Sequence, residues 1–201
     1  MSRRQNYSGF TFVEMIAVVA MIALILLFLG RFHWKNGESR QIQIATKIVT
    51  RVLNQARHEA INQGCDVFVA VDLSTTFAQR RLLQLVRSED HYRIIREILL
   101  PEHCFILTAQ DLKAFDLSDS DVPEEEELIA GSQKILGYCI RFAENGSRPG
   151  DESSTLFALG YGHRKSVKGE VKIVFDRTVT PAIIVVNRLG RTFVFSKNIN
   201  K

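Results

Sequence analysis

Proline is scarce and tryptophan nearly absent: the chain holds four prolines and the single Trp34 in 201 residues. So few prolines, with only twelve glycines, exclude a collagen-like or linker-dominated chain. Three cysteines are too few for a disulfide-knit miniature domain. Charge of one sign is not in large excess: 26 Lys and Arg against 22 Asp and Glu leave +4, which does not by itself point to nucleic acid. What remains is 46% apolar and 24% charged, enough for a packed core and too apolar for wholesale disorder. The length suits one domain with an appendage.

The appendage is at the front. From Phe10 to Leu29 the only charge is Glu14, and from Met15 to Leu29 the apolar run is unbroken. About 20 apolar residues at ~1.5 Å each span a bilayer core of ~30 Å. Ahead of the run lie nine residues with Arg3 and Arg4 and no acid. A cleaved secretory signal needs a shorter apolar region followed by small residues, and Leu29-Gly30-Arg31-Phe32-His33-Trp34 offers no such site. A plain signal anchor fits the length but leaves Glu14 unexplained, since a carboxylate in an apolar span costs about 2–3 kcal/mol when central and less near the interface. A cut after Gly9 accounts for it. Phe10 then carries a positive amine, Glu14 lies four residues on along the same helix face, and it falls in the first turn, where the helix dipole favours an anion.

Gly9-Phe10-Thr11-Phe12-Val13-Glu14-Met15-Ile16, after a short basic leader and before an apolar run, resembles the cleavage and methylation motif of type IV prepilins and type II secretion pseudopilins. The resemblance implies cleavage between Gly9 and Phe10 by a prepilin peptidase, N-methylation of Phe10, and a subunit-assembly role for Glu14. It also implies that the leader is cytoplasmic and the rest periplasmic. Charge alone does not order the ends, because Arg31, Lys35, Arg40 and Lys47 follow the span.

Beyond a polar interval from Gly30 to Gly37 that could bend or loosen a helix, Ala45, Ile48, Val49, Val52, Leu53, Ala56 and Ala60 recur at three- and four-residue steps. This stripe predicts a core-facing helix ending at Gln63-Gly64. From Cys65 the period changes. Strands are predicted over 66–73, 82–86, 92–100, 104–108, 135–142, 155–159, 171–176, 182–187 and 191–196, with Asn187-Arg188-Leu189-Gly190 turning the last hairpin. The predicted fold class is α+β, a long amino-terminal helix on an antiparallel β-sheet or β-sandwich, pilin-like by resemblance. Its parts are a leader (1–9), a transmembrane helix (10–30), an amphipathic helix (31–64) and a β-rich domain (65–201) with a charged insertion at about 77–131. Ala56-Arg57-His58-Glu59-Ala60-Ile61, Ile140-Arg141-Phe142-Ala143-Glu144-Asn145-Gly146 and Leu189-Gly190-Arg191 are similar, in order and spacing, to segments of the H-type minor pseudopilins and related minor type IV pilins.

Other chemistry is thin. His58-Glu59 lacks the second histidine of a zinc protease, because position 62 is Asn. Cys65, Cys104 and Cys139 fall outside the span, where two could pair, or each could be a buried thiol in a strand. The segment Asp111–Glu127 holds eight acids and one lysine. Oxygen ligands for calcium are available there, but Pro123 interrupts and the glycine of a calcium-binding loop is missing, so the segment reads as a solvated loop. No metal and no cofactor are expected. Gly162–Gly169 reads as a basic loop without phosphate-loop spacing. With Arg188, Arg191, Lys197 and Lys201 it could form a basic patch, since the chain outside the acidic segment carries +11. No catalytic arrangement is recognisable, so no enzymatic activity is expected. The resemblance implies a minor pseudopilin at the tip or initiation of a type II secretion pseudopilus. Its partners would be other pseudopilins, the peptidase, the inner-membrane assembly platform and the bilayer. The alternative is a minor type IV pilin that assembles pili or contacts nucleic acid through Arg188 and Arg191.

Overall fold

The computed structural model describes residues 11–73, 79–88, 91–115, 117, 122–123, 125–131, 133–149, 154–167 and 170–196, with the side chains of 28–36, 88, 167, 170, 171 and 196 outside that description. Gly9, Phe10, Asp116, Asp119, Asp121, Glu124, Lys197 and Lys201 therefore lie outside it. The chain divides into two compact units, Met1–Glu38 and Ser39–Lys201.

Helix α1 is Phe12–Gln63. Its backbone is assigned as helix through Gly30 and Gly37. No proline occurs before Pro101, so every α1 residue keeps its backbone N–H. The helix stops where expected: Gly64 takes φ +60°, and the Cys65 N–H donates to the Ala60 carbonyl at 3.3 Å, satisfying an end carbonyl in the Schellman manner.

Among the described residues of the larger unit, ten strands form two sheets. Strands β1 (Val67–Asp72), β2 (Arg81–Ser88), β3 (His91–Leu99), β5 (Glu125–Ala130) and β6 (Gln133–Phe142) close into a barrel in the order β1-β2-β3-β5-β6. All its contacts are antiparallel except β3–β5, a parallel pairing at Tyr92 and Ala130. The second sheet runs β10 (Thr192–Ser196), β9 (Ala182–Asn187), β7 (Ser154–Val167), β4 (Cys104–Ile106), with β8 (Glu170–Phe175) paired to the far half of β7. The simple antiparallel sheet or sandwich expected from the strand pattern is thus corrected to a mixed closed barrel plus an antiparallel sheet. Period-2 alternation places a residue on a face but does not say which strand lies beside it.

Three clusters hold the unit together. The largest joins the α1 stripe, including Ala45, Val49, Leu53 and Ala56, to the outer barrel face (Val67, Val69, Val71, Ile140) and to one face of the second sheet (Leu159, Ile184, Val186). A second fills the barrel with Phe68, Ala70, Leu83, Leu85, Leu128 and Ile135. Strand β1 gives Val67, Val69 and Val71 to the first cluster and Phe68 and Ala70 to the second, so these five read as a continuous apolar run; its sixth buried residue, Asp72, is paired with Arg81. The third packs a short helix, α2 (Ala109–Ala114), on the opposite face of the second sheet through Leu107, Leu112, Phe115 and Ala158.

Two charged segments were misread from sequence. The acidic segment is not one solvated loop. Asp111 is the N3 residue of a capping box with Thr108 at the start of α2, and Glu125–Glu127 open β5 against β6. The basic segment from Gly162 is strand as far as Val167, pairing residue by residue with β8. Exposed charges mask strand periodicity because both faces of a projecting hairpin can be polar.

Candidate functional site: the amino-terminal half of α1 and its anchor

The first turn of α1 is organised by two side chains. The Glu14 carboxylate accepts hydrogen bonds from the Thr11 N–H and the Thr11 hydroxyl, both at 2.8 Å, while the Glu14 N–H donates to the Thr11 oxygen at 3.3 Å. This is a reciprocal capping box, Thr at the cap and Glu three residues on. Sequence analysis placed Glu14 in the first turn but missed this role, although the Thr-x-x-Glu spacing was legible. After Thr11 every side chain to Leu27 is exposed, from Phe12 at 81% to Leu27 at 72%. Leu24, Ile25, Leu26 and Leu27 are consecutive, so their side chains point to all sides of the helix. An apolar surface this extensive is unusual for a helix in water. Among the described residues no helix is long and apolar enough to cross a membrane. The apolar run read from the sequence continues to Leu29, past Leu27, the last residue at that end whose side chain is described.

Within the larger unit the three segments singled out by resemblance meet at one place. Arg57 on α1 donates through Nε to the Gly146 carbonyl at 3.0 Å. Gly146 (φ +74°) lies in the turn after β6, and a Cβ there would sit 2.6 Å from Ile61 Cδ1. Gly190 (φ +70°) lies in the β9–β10 turn, and its Cβ would sit 2.2 Å from the Gly146 oxygen. The Arg148 N–H donates to the Arg188 carbonyl at 3.0 Å. Two left-handed turns therefore stack edge to edge under one guanidinium, and both need glycine for clearance as well as for φ. The junction ties the helix to the last hairpin and is structural rather than chemical.

The remaining candidates separate. Cys65, Cys104 and Cys139 are all free, so the disulfide weighed from the sequence is not formed. Cys104 lies in the cluster beneath α1, whereas Cys139 packs against the barrel-filling cluster. Burial pushes the Cys104 thiol up to about 11 and the Cys139 thiol up to about 12, which makes both poor nucleophiles. Arg188 and Arg191 are exposed on either side of Gly190. The Arg191 N–H is held by the Asn187 side chain at 2.9 Å. His103 and His163, distant in sequence, meet edge to face with ring centroids 4.8 Å apart beside Tyr161. Among the described residues no group of three or more His, Cys, Asp or Glu could hold a metal ion. An ion-pair fork, Arg81 to Asp72 at 3.2 Å and to Glu97 at 2.9 Å, crosses β1, β2 and β3.

No protein-family model and no curated protein matches the chain. One solved structure, of the minor pseudopilin EpsH from the type 2 secretion system of Vibrio cholerae, is similar over 79% of this chain and 98% of its own, with 14% identity and a TM-score of 0.46. A likeness of that size carries no argument here.

Proposed function

We propose that the chain is a minor pseudopilin of a type II protein secretion system, a filament subunit without enzymatic activity. One observation carries this reading: a capped helix with apolar side chains exposed on all sides begins directly after the Gly9-Phe10 junction. Prepilin peptidase cuts at that junction and methylates the Phe10 amine. The mature chain waits in the inner membrane, spanning it once through the apolar run, with the β-rich unit in the periplasm. On extraction by the assembly platform, the apolar faces of neighbouring pseudopilins replace lipid. The Phe10 amine, one residue before the capping threonine, is four residues from the carboxylate that it or a neighbour's amine neutralises. Tip or initiation placement follows from the similarity of the Arg57, Gly146 and Gly190 segments to those of the H-type minor pseudopilins.

The test is mass spectrometry of the chain expressed with and without the peptidase. A peptidase-dependent product starting at N-methylated Phe10 is expected. A chain still beginning at Met1 or Ser2 in the presence of the peptidase overturns the reading.

A second reading, a minor type IV pilin that contacts nucleic acid, is favoured by the exposure of Arg188 and Arg191 at one hairpin tip. It requires binding that weakens steeply with salt and is lost on Arg188→Glu with Arg191→Glu; salt-independent binding removes it.

A further inference from the structure

Strand β10 is the edge of its sheet, pairing with β9 and with no other described strand. Natural edges are blunted by proline, charge, a bulge or a covering loop. The described part of β10 has none of these: Phe193, Val194 and Phe195 are consecutive, apolar and 44–54% exposed. Its free hydrogen-bonding groups can be identified. The Asn187 N–H donates to the Arg191 carbonyl at 3.0 Å, so Arg191 is bonded inward. Antiparallel alternation then turns Phe193 and Phe195 inward to β9 and leaves the main-chain N–H and C=O of Thr192, Val194 and Ser196 facing outward.

Beside that edge lies a groove of about 1030 Å³ between α1 and β10, lined by Val194, by Thr180, Pro181 and Ala182, and by the polar flank of α1 with Lys47, Arg51 and His58. Among the described residues no carboxylate lines it. Lys47 and Arg51 form no ion pair among the described residues. From Arg177 to the end the chain carries five Arg and Lys and no acid. The two sides of the open edge differ. Val194 pairs with Ile184, which is buried beneath α1, so it faces the helix, while Phe193 and Phe195 face away.

We propose that this edge binds an extended segment of a partner protein, which adds as a strand beside β10 with carboxylates on the side facing Lys47 and Arg51 and apolar residues on the side facing Phe193 and Phe195. Main-chain bonds to Thr192, Val194 and Ser196 hold it, and the two flanking chemistries select an acidic-apolar alternation. A second copy of β10 is disfavoured as the occupant, because it would bring another acid-free basic segment to a basic groove. The inference does not depend on the filament reading.

The test uses the full chain in detergent micelles and a labelled synthetic peptide of alternating Glu with Val or Ile, read by fluorescence anisotropy. Saturable binding is expected. The Lys47→Glu, Arg51→Glu double variant should weaken it at least about tenfold and prefer the same peptide with Lys in place of Glu. Val194→Pro removes an outward N–H without removing a bond to β9, and should also weaken binding about tenfold. A peptide N-methylated at alternate amides makes the same test without touching the protein's fold. Absence of saturable binding overturns the proposal, as does binding indifferent to N-methylation and to Val194→Pro. A single-stranded oligonucleotide binding more tightly than the peptide would assign the groove to nucleic acid instead. Self-association abolished by Val194→Pro would assign the edge to a second copy.

Discussion

At the residue scale the domain depends on a few positions where nothing larger than hydrogen fits. Gly190→Ala would place a methyl group against the Gly146 oxygen while holding alanine at φ +70°. A loss of about 1–3 kcal/mol is expected, read as a lowered denaturation midpoint. Arg57→Ala should cost about 1–2 kcal/mol through the unpaired Gly146 carbonyl, and the two losses should be non-additive in a double-mutant cycle because the groups touch. The buried thiols give a pH signature. Cys104 and Cys139 stay neutral in the folded chain up to about 11 and 12, whereas an unfolded thiol ionises near ~8.5. Above that value the unfolded chain releases protons that the folded one retains, so stability is complete at neutral pH and falls as pH rises through the interval between the two. Chemical denaturation at stepped pH should show this fall, and it should be smaller in Cys104→Ala. At pH 8 a maleimide should label the half-exposed Cys65 ahead of the other two.

At the element scale, what could be read in advance followed the physics of each segment. The α1 stripe was legible because one helix face meets one continuous core, and Ala45, Val49, Leu53, Ala56 and Ala60 are all buried. Leu53→Ala should therefore cost about 2–5 kcal/mol, while Lys47→Ala on the opposite flank should leave the melting temperature almost unchanged. The final hairpin was legible from Asn187 to Gly190, where a left-handed glycine closes a short loop. Strand β5 was not, because Glu125–Glu127 carry no apolar alternation and are held by cross-strand bonds to Leu136–Tyr138. The far half of β7 was hidden for the same reason: Arg164 and Lys165 stand on a hairpin with little core of its own. The capping boxes at Thr11 and Thr108 were written in the sequence at the same Thr-x-x-acid spacing and went unread. The Arg57–Gly146–Gly190 junction could be seen as three separate resemblances, but their convergence is a property of chain topology that no local pattern contains.

At the scale of the whole molecule, the two units treat their apolar residues in opposite ways. The larger unit buries its apolar residues in three clusters, whereas the described part of the smaller one exposes them. The full chain should accordingly sediment with membranes and resist extraction by alkaline carbonate, entering solution only with detergent. Recovery in the soluble fraction without detergent would contradict the membrane-inserted state. The Arg57 anchor also fixes an order of events. The helix that organises the core is synthesised first, yet the strand lying against it through Ile184 and Val186, and the turn that locks it at Gly190, come after every other described strand of that core. Until those residues emerge from the ribosome, the buried face of α1 is covered on its barrel side alone. Chains stopped before Ala182 should thus stay protease-sensitive along α1, while the finished chain resists. The β9–β10 hairpin acts as the clasp that completes the cover over α1.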